Sequence, residues 1–556
     1  MPSGATRLAT FAFVTLLLVA FARIVATYSV FNHAYDENAH IGTGMEWLDK
    51  GTYDYPDLHP PMRAVYALGP YLFGIGHFGE AHFGDEGLRI LYADGQYWRT
   101  LTTARMAALP FFAVTLVFVF LWARRIGGSL AAVLATLAYS TLPLALGHAG
   151  LVGTDTLLAC TLIAALYAWA RWLDAPDWRR AVVLGLAIGA MALSKFSGLA
   201  FFFAAMASTG VMWLARLPLV GGDSVPDLGL RLRHASLVLV VAGVVSFAVV
   251  WAGYRFSVGP VLDSQEPHHA LHRLVGEAGV LHDLATAIGR AAPAPEFWNG
   301  LRMLLRINQV PGPSYLMGEI SRDGFLTFFP VGILVKTPIP FLVLMAGGLL
   351  LLLGRSWRSK NPFVFLAPFA PILVILVVLP AGLNHGLRHV LPAFPMLAVC
   401  AGTFGAWLWR ARAGRAQVVA RSLLTALIAW QVVAGVRAHP DYLSYFNECC
   451  ERSPESWLVD SDLDWGQDLH RLSDELRERS VNEIHLAYFG TADVNQHGLP
   501  SFKLLRPSER VKGWVAVSEF RLALGTGQPP YDQYKWLLDY EPVARVGKSI
   551  RLYWIP

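Results

Sequence analysis

Residues Leu8 to Thr27 read LATFAFVTLLLVAFARIVAT, an apolar run of the length that crosses a bilayer. The run is too long for the core of a signal peptide and lacks a small-residue cleavage site, so it predicts a retained first helix. Similar windows recur to about residue 437, near 105–123, 129–147, 151–170, 181–196, 197–215, 236–254, 329–353, 362–381, 386–408 and 421–437. With 8–28 they make about eleven predicted transmembrane helices. Composition agrees, since 54% of the 556 residues are hydrophobic and 15% charged, a balance that needs lipid as its solvent. The expected architecture is an α-helical polytopic membrane region over 1–437 and, where hydropathy drops, a small α/β domain over 438–556.

The net charge of +5 is small for this length and sits mostly in short loops. It reads as membrane topology, and nucleic acid is not an expected partner. Arg124 and Arg125; Arg171, Arg179 and Arg180; Arg216, Arg231 and Arg233; Arg355, Arg358 and Lys360; and Arg410, Arg412 and Arg415 all fall on one side if the N-terminus is cytoplasmic. That orientation predicts a multi-pass protein of the inner (plasma) membrane. The loops over 29–104 and 255–328 and the C-terminal domain are then extracytoplasmic. The stretch Pro260 to Pro295 is polar, His-rich and expected to be a partly helical loop. Of the four cysteines, Cys160 and Cys400 lie inside apolar segments, and the adjacent Cys449 and Cys450 have no metal-ligand spacing around them.

Chemistry concentrates where charge meets the apolar runs. The first outer loop opens Tyr35, Asp36, Glu37, Asn38, Ala39, His40 and continues to Asp57, Leu58, His59, Pro60, Pro61. A third acid, Asp155, stands at the outer start of the fourth helix, where an ionisable group is costly without a partner or a task; as a bland alternative it is a helix N-cap. Five cations interrupt the apolar runs at their outer ends, against the usual placement of positive charge: Arg105, Lys195, Arg255, Lys336 and Arg388, the last flanked by His385 and His389. Snorkelling explains one such residue, whereas five together predict an anion held at headgroup depth.

Such a cleft suits transfer of a sugar from a polyprenyl phosphate or diphosphate to a hydroxyl or amine, which needs a base for the acceptor's proton and cations for the departing phosphate. Asp36 is the expected base. Glu37 and Asp155 are expected to orient the acceptor or to hold a divalent metal, a choice that carboxylate chemistry leaves open. Lys195, Lys336, Arg388, Arg105 and Arg255 are the expected phosphate ligands, and His40, His59, His385 and His389 are candidates for acceptor or metal.

These motifs carry a resemblance. Tyr35-Asp36-Glu37 with His59-Pro60-Pro61, Gly153-Thr154-Asp155, Lys195-Phe196-Ser197-Gly198 and Asn384-His385-Gly386-Leu387-Arg388-His389-Val390-Leu391-Pro392 resemble the GT-C superfamily. They look most like the bacterial branch of the dolichyl-phosphate-mannose protein mannosyltransferase family, related to lipid A aminoarabinose transferases. The resemblance implies a GT-C fold, a polyprenyl-phosphate sugar donor and catalysis by Asp36 and Glu37, with Asp155 as a further acid. Tyr315-Leu316-Met317-Gly318-Glu319, the run Phe328 to Pro338 and the tail motif Asp460-Ser461-Asp462-Leu463-Asp464-Trp465-Gly466-Gln467-Asp468 are similar to bacterial members. The eukaryotic mannosyltransferases carry a different outer domain, which this sequence lacks, and that counts against a protein acceptor relative to a lipid or polysaccharide one. The tail motif lacks the spacing of a calcium loop and is expected to be structural or to dock the acceptor. A lipid-linked glycan transporter is the rival reading, although transporters place polar groups near the midplane. A membrane scaffold with an incidental acidic loop is a third.

Overall fold

Helix α1 (Gly4–Val25) carries the opening apolar run, and the loop after it winds into the short helix α2 (Glu37–Met45). Helix α3 (Leu109–Ser140) is interrupted at Gly128, where φ is 78°. That left-handed conformation is one glycine adopts without a steric cost. The interruption is a hairpin, because the rings of Phe112 and Tyr139 lie 5.8 Å apart, whereas a straight helix would separate them by roughly 40 Å. The chain continues through α4 (Thr154–Asp174), α5 (Trp178–Ser194), α6 (Ser197–Arg216), α7 (Pro226–Gly253), α8 (Phe328–Lys336), α9 (Ile339–Ser356), α10 (Pro362–Val378), α11 (Phe394–Trp409) and α12 (Arg415–Arg437).

This computed structural model describes residues 4–55, 59–216, 226–261, 291–309, 312–359, 361–411 and 413–556. Asp57 and Leu58 of the first-loop motif, most of the His-rich stretch, Lys360 and Arg412 lie outside the described residues, as do the side chains of Arg216, Arg231 and Arg233.

Among the described residues, seven helical stretches are long and apolar enough to cross a membrane, and Ser197–Met212 and Pro362–Val378 are shorter apolar helices. One of the seven, Tyr97–Ser140, contains the hairpin. Counting its two arms separately, and adding α5 with its Arg179 and Arg180, gives the eleven segments expected. Small residues let the helices approach closely: Gly402 of α11 rests against Ala131 and Ala135 of α3 with no room for a Cβ, and Gly348 of α9 does the same against Cys400.

Prolines shape the ends that build the site. The second arm of α3 stops at Ser140 rather than near 147, and Pro143 starts the separate helix Pro143–Ala149. The predicted span 329–353 breaks at Thr337-Pro338, leaving Lys336 at the end of α8. The predicted span 386–408 begins as a 3-10 turn, Leu387–Ala393, that contains Pro392 and precedes α11. Proline lacks the N–H that would continue an α-helix.

The basic loops gather at one end of the bundle. Arg125 pairs with Asp174 and lies 4.3 Å from the centre of the Phe363 ring, Arg180 donates to the Arg171 carbonyl at 3.0 Å, and Arg410 donates to the Gly127 carbonyl at 2.9 Å.

At the opposite end sits the C-terminal region, as the hydropathy drop implied. It holds α13 (Leu469–Glu478) and a five-stranded mixed sheet of β1 (Glu483–Ala487), β2 (Ser501–Leu504), β3 (Gly513–Ser518), β4 (Ala544–Val546) and β5 (Ile550–Ile555), in spatial order β2-β1-β3-β5-β4. β1 runs parallel to β2 and β3, and β5 runs antiparallel to β3 and β4. Leu469, Leu472 and Leu476 of α13 pack on Ile484, Leu486, Ala516 and Leu552 of the sheet. The region docks on the first loop, where Asn32 Oδ1 accepts the Leu469 N–H at 2.8 Å and the Tyr92 hydroxyl meets His497 Nε2 at 2.8 Å.

Candidate active site

Asp36 and Glu37, adjacent at the start of α2, go to different partners. Glu37 is fully buried. Arg105 donates to both its oxygens, at 3.0 and 2.6 Å, and the backbone N–H groups of Ala34 and Val152 donate at 2.7 and 2.8 Å. Arg105 uses two further donors on the carbonyls of Phe31 and Asn32, at 2.9 and 3.0 Å. This pair ties the first loop to the start of α4. It leaves Glu37 no oxygen for an acceptor or a metal, and it commits four of the five N–H donors of the buried Arg105 to structure.

Asp36 keeps a third of its side chain exposed and accepts one bond, from Arg388 Nη1 at 2.7 Å. Burial works to raise its carboxyl, but Arg388, His40 and His59 outweigh that, so it sits below the ordinary carboxylate range. Four residues of the expected cleft thus meet here. His40 and His59 stand ring to ring at 5.0 Å, with His40 Nδ1 also 3.4 Å from Arg63.

The first turn of α4 supplies Asp155 and the end of α5 supplies Lys195, whose Nζ donates to Asp155 Oδ1 at 2.6 Å. The N-cap position of α4 is taken by Gly153 rather than Asp155, and among the described residues the hydrogen bond to the Asp155 carboxylate comes from the lysine. Arg388, His148 and His389 are the other groups that act electrostatically on Asp155, which joins the two ion pairs into one cluster. Arg388 is the hub: Asp36, Asp155 and Asp460 face it, and the ring of Trp465 lies 4.4 Å from its guanidinium carbon. Its Nε is buried without a hydrogen-bond partner among the described residues. A buried, unused N–H on a cation is a ready donor for an anion. His385 lies beside the hub, its Nδ1 3.7 Å from Asp460.

Two expected phosphate ligands lie elsewhere. Lys336 is buried and donates to the carbonyls of Leu443, at 2.6 Å, and of Asp462, with the Phe446 ring 4.7 Å away. It fastens the C-terminal region to α8. Arg255 donates to the Trp47 carbonyl at 2.6 Å and lies over the Trp47 ring at 4.4 Å. Among the described residues no three His, Cys, Asp or Glu side chains converge on a metal position.

The tail motif is a latch. The Asp462 carboxylate accepts the Leu387 N–H at 3.1 and 3.2 Å, Asp464 accepts the Phe520 N–H at 2.9 Å, and Asp468 accepts from Ser549 at 2.7 Å and Arg471 at 3.0 Å. Burial holds Asp460, Asp462 and Asp464 above the ordinary carboxylate range. Sequence reasoning passed over His148, in Leu146-Gly147-His148-Ala149, and did not connect Trp465 with the outer loop. A histidine close before an acid at a helix start was the available signal for the first. No local pattern marks the second.

Residues 99–220 match the family model described as dolichyl-phosphate-mannose-protein mannosyltransferase. The chain matches ArnT from Cupriavidus metallidurans bound to undecaprenyl phosphate at a TM-score of 0.50, with 14% identity over 97% of each chain. The chain shares the fold of that protein. A second match, to the Saccharomyces cerevisiae protein O-mannosyltransferase Pmt1-Pmt2 complex bound to the sugar donor, has a TM-score of 0.52 and 11% identity, covering 81% of this chain and 94% of that one. No curated protein sequence matches the chain. At these identities the likeness speaks for the GT-C fold, with its multi-pass helical bundle.

Proposed function

We propose that this GT-C protein transfers a sugar, a hexose or related residue, from a polyprenyl-phosphate-linked donor to an acceptor at the site end of the bundle. The reading rests on one observation: a partly exposed carboxylate, Asp36, is held 2.7 Å from a cation, Arg388, that keeps an unused buried donor. In the reaction the acceptor oxygen attacks the anomeric carbon and gives its proton to Asp36. The bond from that carbon to the phosphate oxygen breaks, and the departing polyprenyl phosphate is received by Arg388 and Lys195. A single displacement inverts the anomeric configuration. Asp155 holds Lys195 in place until the phosphate takes over as its partner.

In this reading the end bearing the basic loops is cytoplasmic, following the positive-inside bias, and the C-terminal domain over 438–556 faces outward with the acceptor. ArnT bound to undecaprenyl phosphate supports a lipid-phosphate donor by analogy of fold, and Pmt1-Pmt2 bound to its sugar donor supports a site for a sugar donor. The test compares wild-type and Asp36→Asn protein for restoration of the missing glycan in a deletion strain, by mass spectrometry of envelope lipids, polysaccharides and proteins. Asp36→Asn is expected to accumulate and fold normally yet lower transfer by about 10²–10⁴-fold. Full modification by the folded variant overturns the assignment.

A further inference from the structure

Trp465 comes from the C-terminal region, yet it contacts Arg388 and the backbone of Tyr35, the residue before Asp36. Its carbonyl accepts the Tyr35 N–H at 2.9 Å, fixing the backbone one residue before Asp36. Its ring supports Arg388 at 4.4 Å from the guanidinium carbon, within cation–π range. Arg388 then reaches Asp36 at 2.7 Å. The path from Trp465 through Tyr35, Asp36 and Arg388 returns to Trp465 and closes a ring of contacts.

Trp465 is itself held rigidly. Its side chain and backbone are 4% exposed as a whole. Its N–H donates to Gln467 Oε1 at 2.8 Å, and Gln467 Nε2 donates to the Leu463 carbonyl at 3.0 Å. The next carbonyl, of Gly466, accepts from Asn32 Nδ2 at 2.8 Å and from the Tyr488 hydroxyl at 2.5 Å. An arginine side chain has many rotamers to lose when it is ordered, and a flat aromatic face removes most of them in advance. The face meets the guanidinium without using up an N–H, so the unpartnered Nε of Arg388 remains available.

We infer that Trp465 is a positioning residue of the active site, setting the separation between the base Asp36 and the cation Arg388 that receives the donor's phosphate. The C-terminal region thereby completes the site. A tryptophan packed for stability alone would have no reason to place its ring on Arg388 and its carbonyl on the residue next to Asp36.

The inference rests on the transferase reading, and the experiment separates the two. Undecaprenyl phosphate binding to the full-length protein in nanodiscs is measured across pH for wild type, Trp465→Ala, Trp465→Phe and Arg388→Ala, with size-exclusion profiles to confirm folding. Trp465→Ala is expected to weaken binding about tenfold, and Trp465→Phe, which keeps an aromatic face, about threefold or less. Loosening Arg388 from Asp36 also removes the main charge that holds the Asp36 carboxyl low. The pH midpoint of binding should therefore move upward in Trp465→Ala and return toward wild type in Trp465→Phe. Loss of binding in Arg388→Ala with both Trp465 variants at wild-type affinity and midpoint overturns the inference alone. Equal weakening by Ala and Phe with an unmoved midpoint also overturns it, leaving a structural tryptophan. Wild-type binding by Arg388→Ala removes the donor site itself, and both readings fall.

Discussion

The Glu37–Arg105 and Asp36–Arg388 pairs start one residue apart and contain the same chemical groups, yet they do opposite work. In the first, both partners are buried and every carboxylate oxygen is taken, by two guanidinium donors and two backbone amides. In the second, the carboxylate is a third exposed, it holds a single hydrogen bond, and the arginine retains an unused donor. A saturated pair is a joint between segments. An unsaturated one at the surface of the same joint can exchange its partner for a substrate. The same contrast separates Lys336, spent on two carbonyls of the C-terminal region, from Lys195, which faces a single carboxylate oxygen.

The largest effect that this contrast predicts is on folding. Glu37→Ala leaves Arg105 buried and unpaired, and breaking such a pair costs about 3–5 kcal/mol, a large share of a typical domain's stability. Glu37→Ala should fail to accumulate or should lose much of its thermal stability in detergent, whereas Asp36→Asn should not. Equal stability of the two variants breaks the comparison. Next comes Arg388→Lys, which keeps the charge but loses the planar fork and its spare donor. Donor affinity should fall by roughly 10–100-fold, about 1.4–2.7 kcal/mol, read as a raised KM for the donor with the fold intact. An unchanged KM would assign the phosphate to Lys195 alone.

Much of this arrangement was legible in the sequence because bilayer thickness fixes helix length, so the spans could be counted before their packing was known. The hairpin at Gly128 and the proline breaks before Pro143 and at Pro338 shifted boundaries without changing the count. The acids and cations of the site were also legible, as charges interrupting apolar runs. Which cations were already spent was not. Arg105 and Lys336 look like Lys195 and Arg388 in the sequence, since what distinguishes them is a partner far along the chain: Glu37 with the Phe31 and Asn32 carbonyls for one, Leu443 and Asp462 for the other. His148 and Trp465 went unread for the same reason, because each meets the cluster only through tertiary contacts.

The docking of the C-terminal region sharpens the comparison through pH. Burial, with His470 nearby, lowers the His497 imidazole to about 4, and burial, with His497 and Arg105 nearby, lowers His33 to about 3. A histidine depressed in the folded state gives stability that is fully present above its ordinary range near 6.5 and is lost as pH falls toward the folded value. At about pH 5.5 the loss should reach about 1.4 kcal/mol for each of the two histidines, concentrated at the contact of Tyr92 and Tyr97 with His497. Hydrogen exchange should rise over residues 488–498 before it rises in the membrane helices, and His497→Gln should flatten the response.

The smallest predicted effect concerns Arg255, whose position at the end of an apolar run predicted a phosphate ligand. Its guanidinium instead donates to the Trp47 carbonyl, stacks on the Trp47 ring and covers Gly51. It is solvent-exposed, where a cation–π contact is worth about 0.5–1 kcal/mol. Arg255→Ala should therefore leave the donor KM and the transfer rate within about twofold of wild type, as surface changes away from a site usually do. The rigidity of the turn at Gly51 should absorb the difference. A tenfold rise in donor KM on this substitution would show that the anion site extends to the end of α7. The division between cations spent on structure and cations kept for substrate would then lie somewhere other than at Arg388 and Lys195.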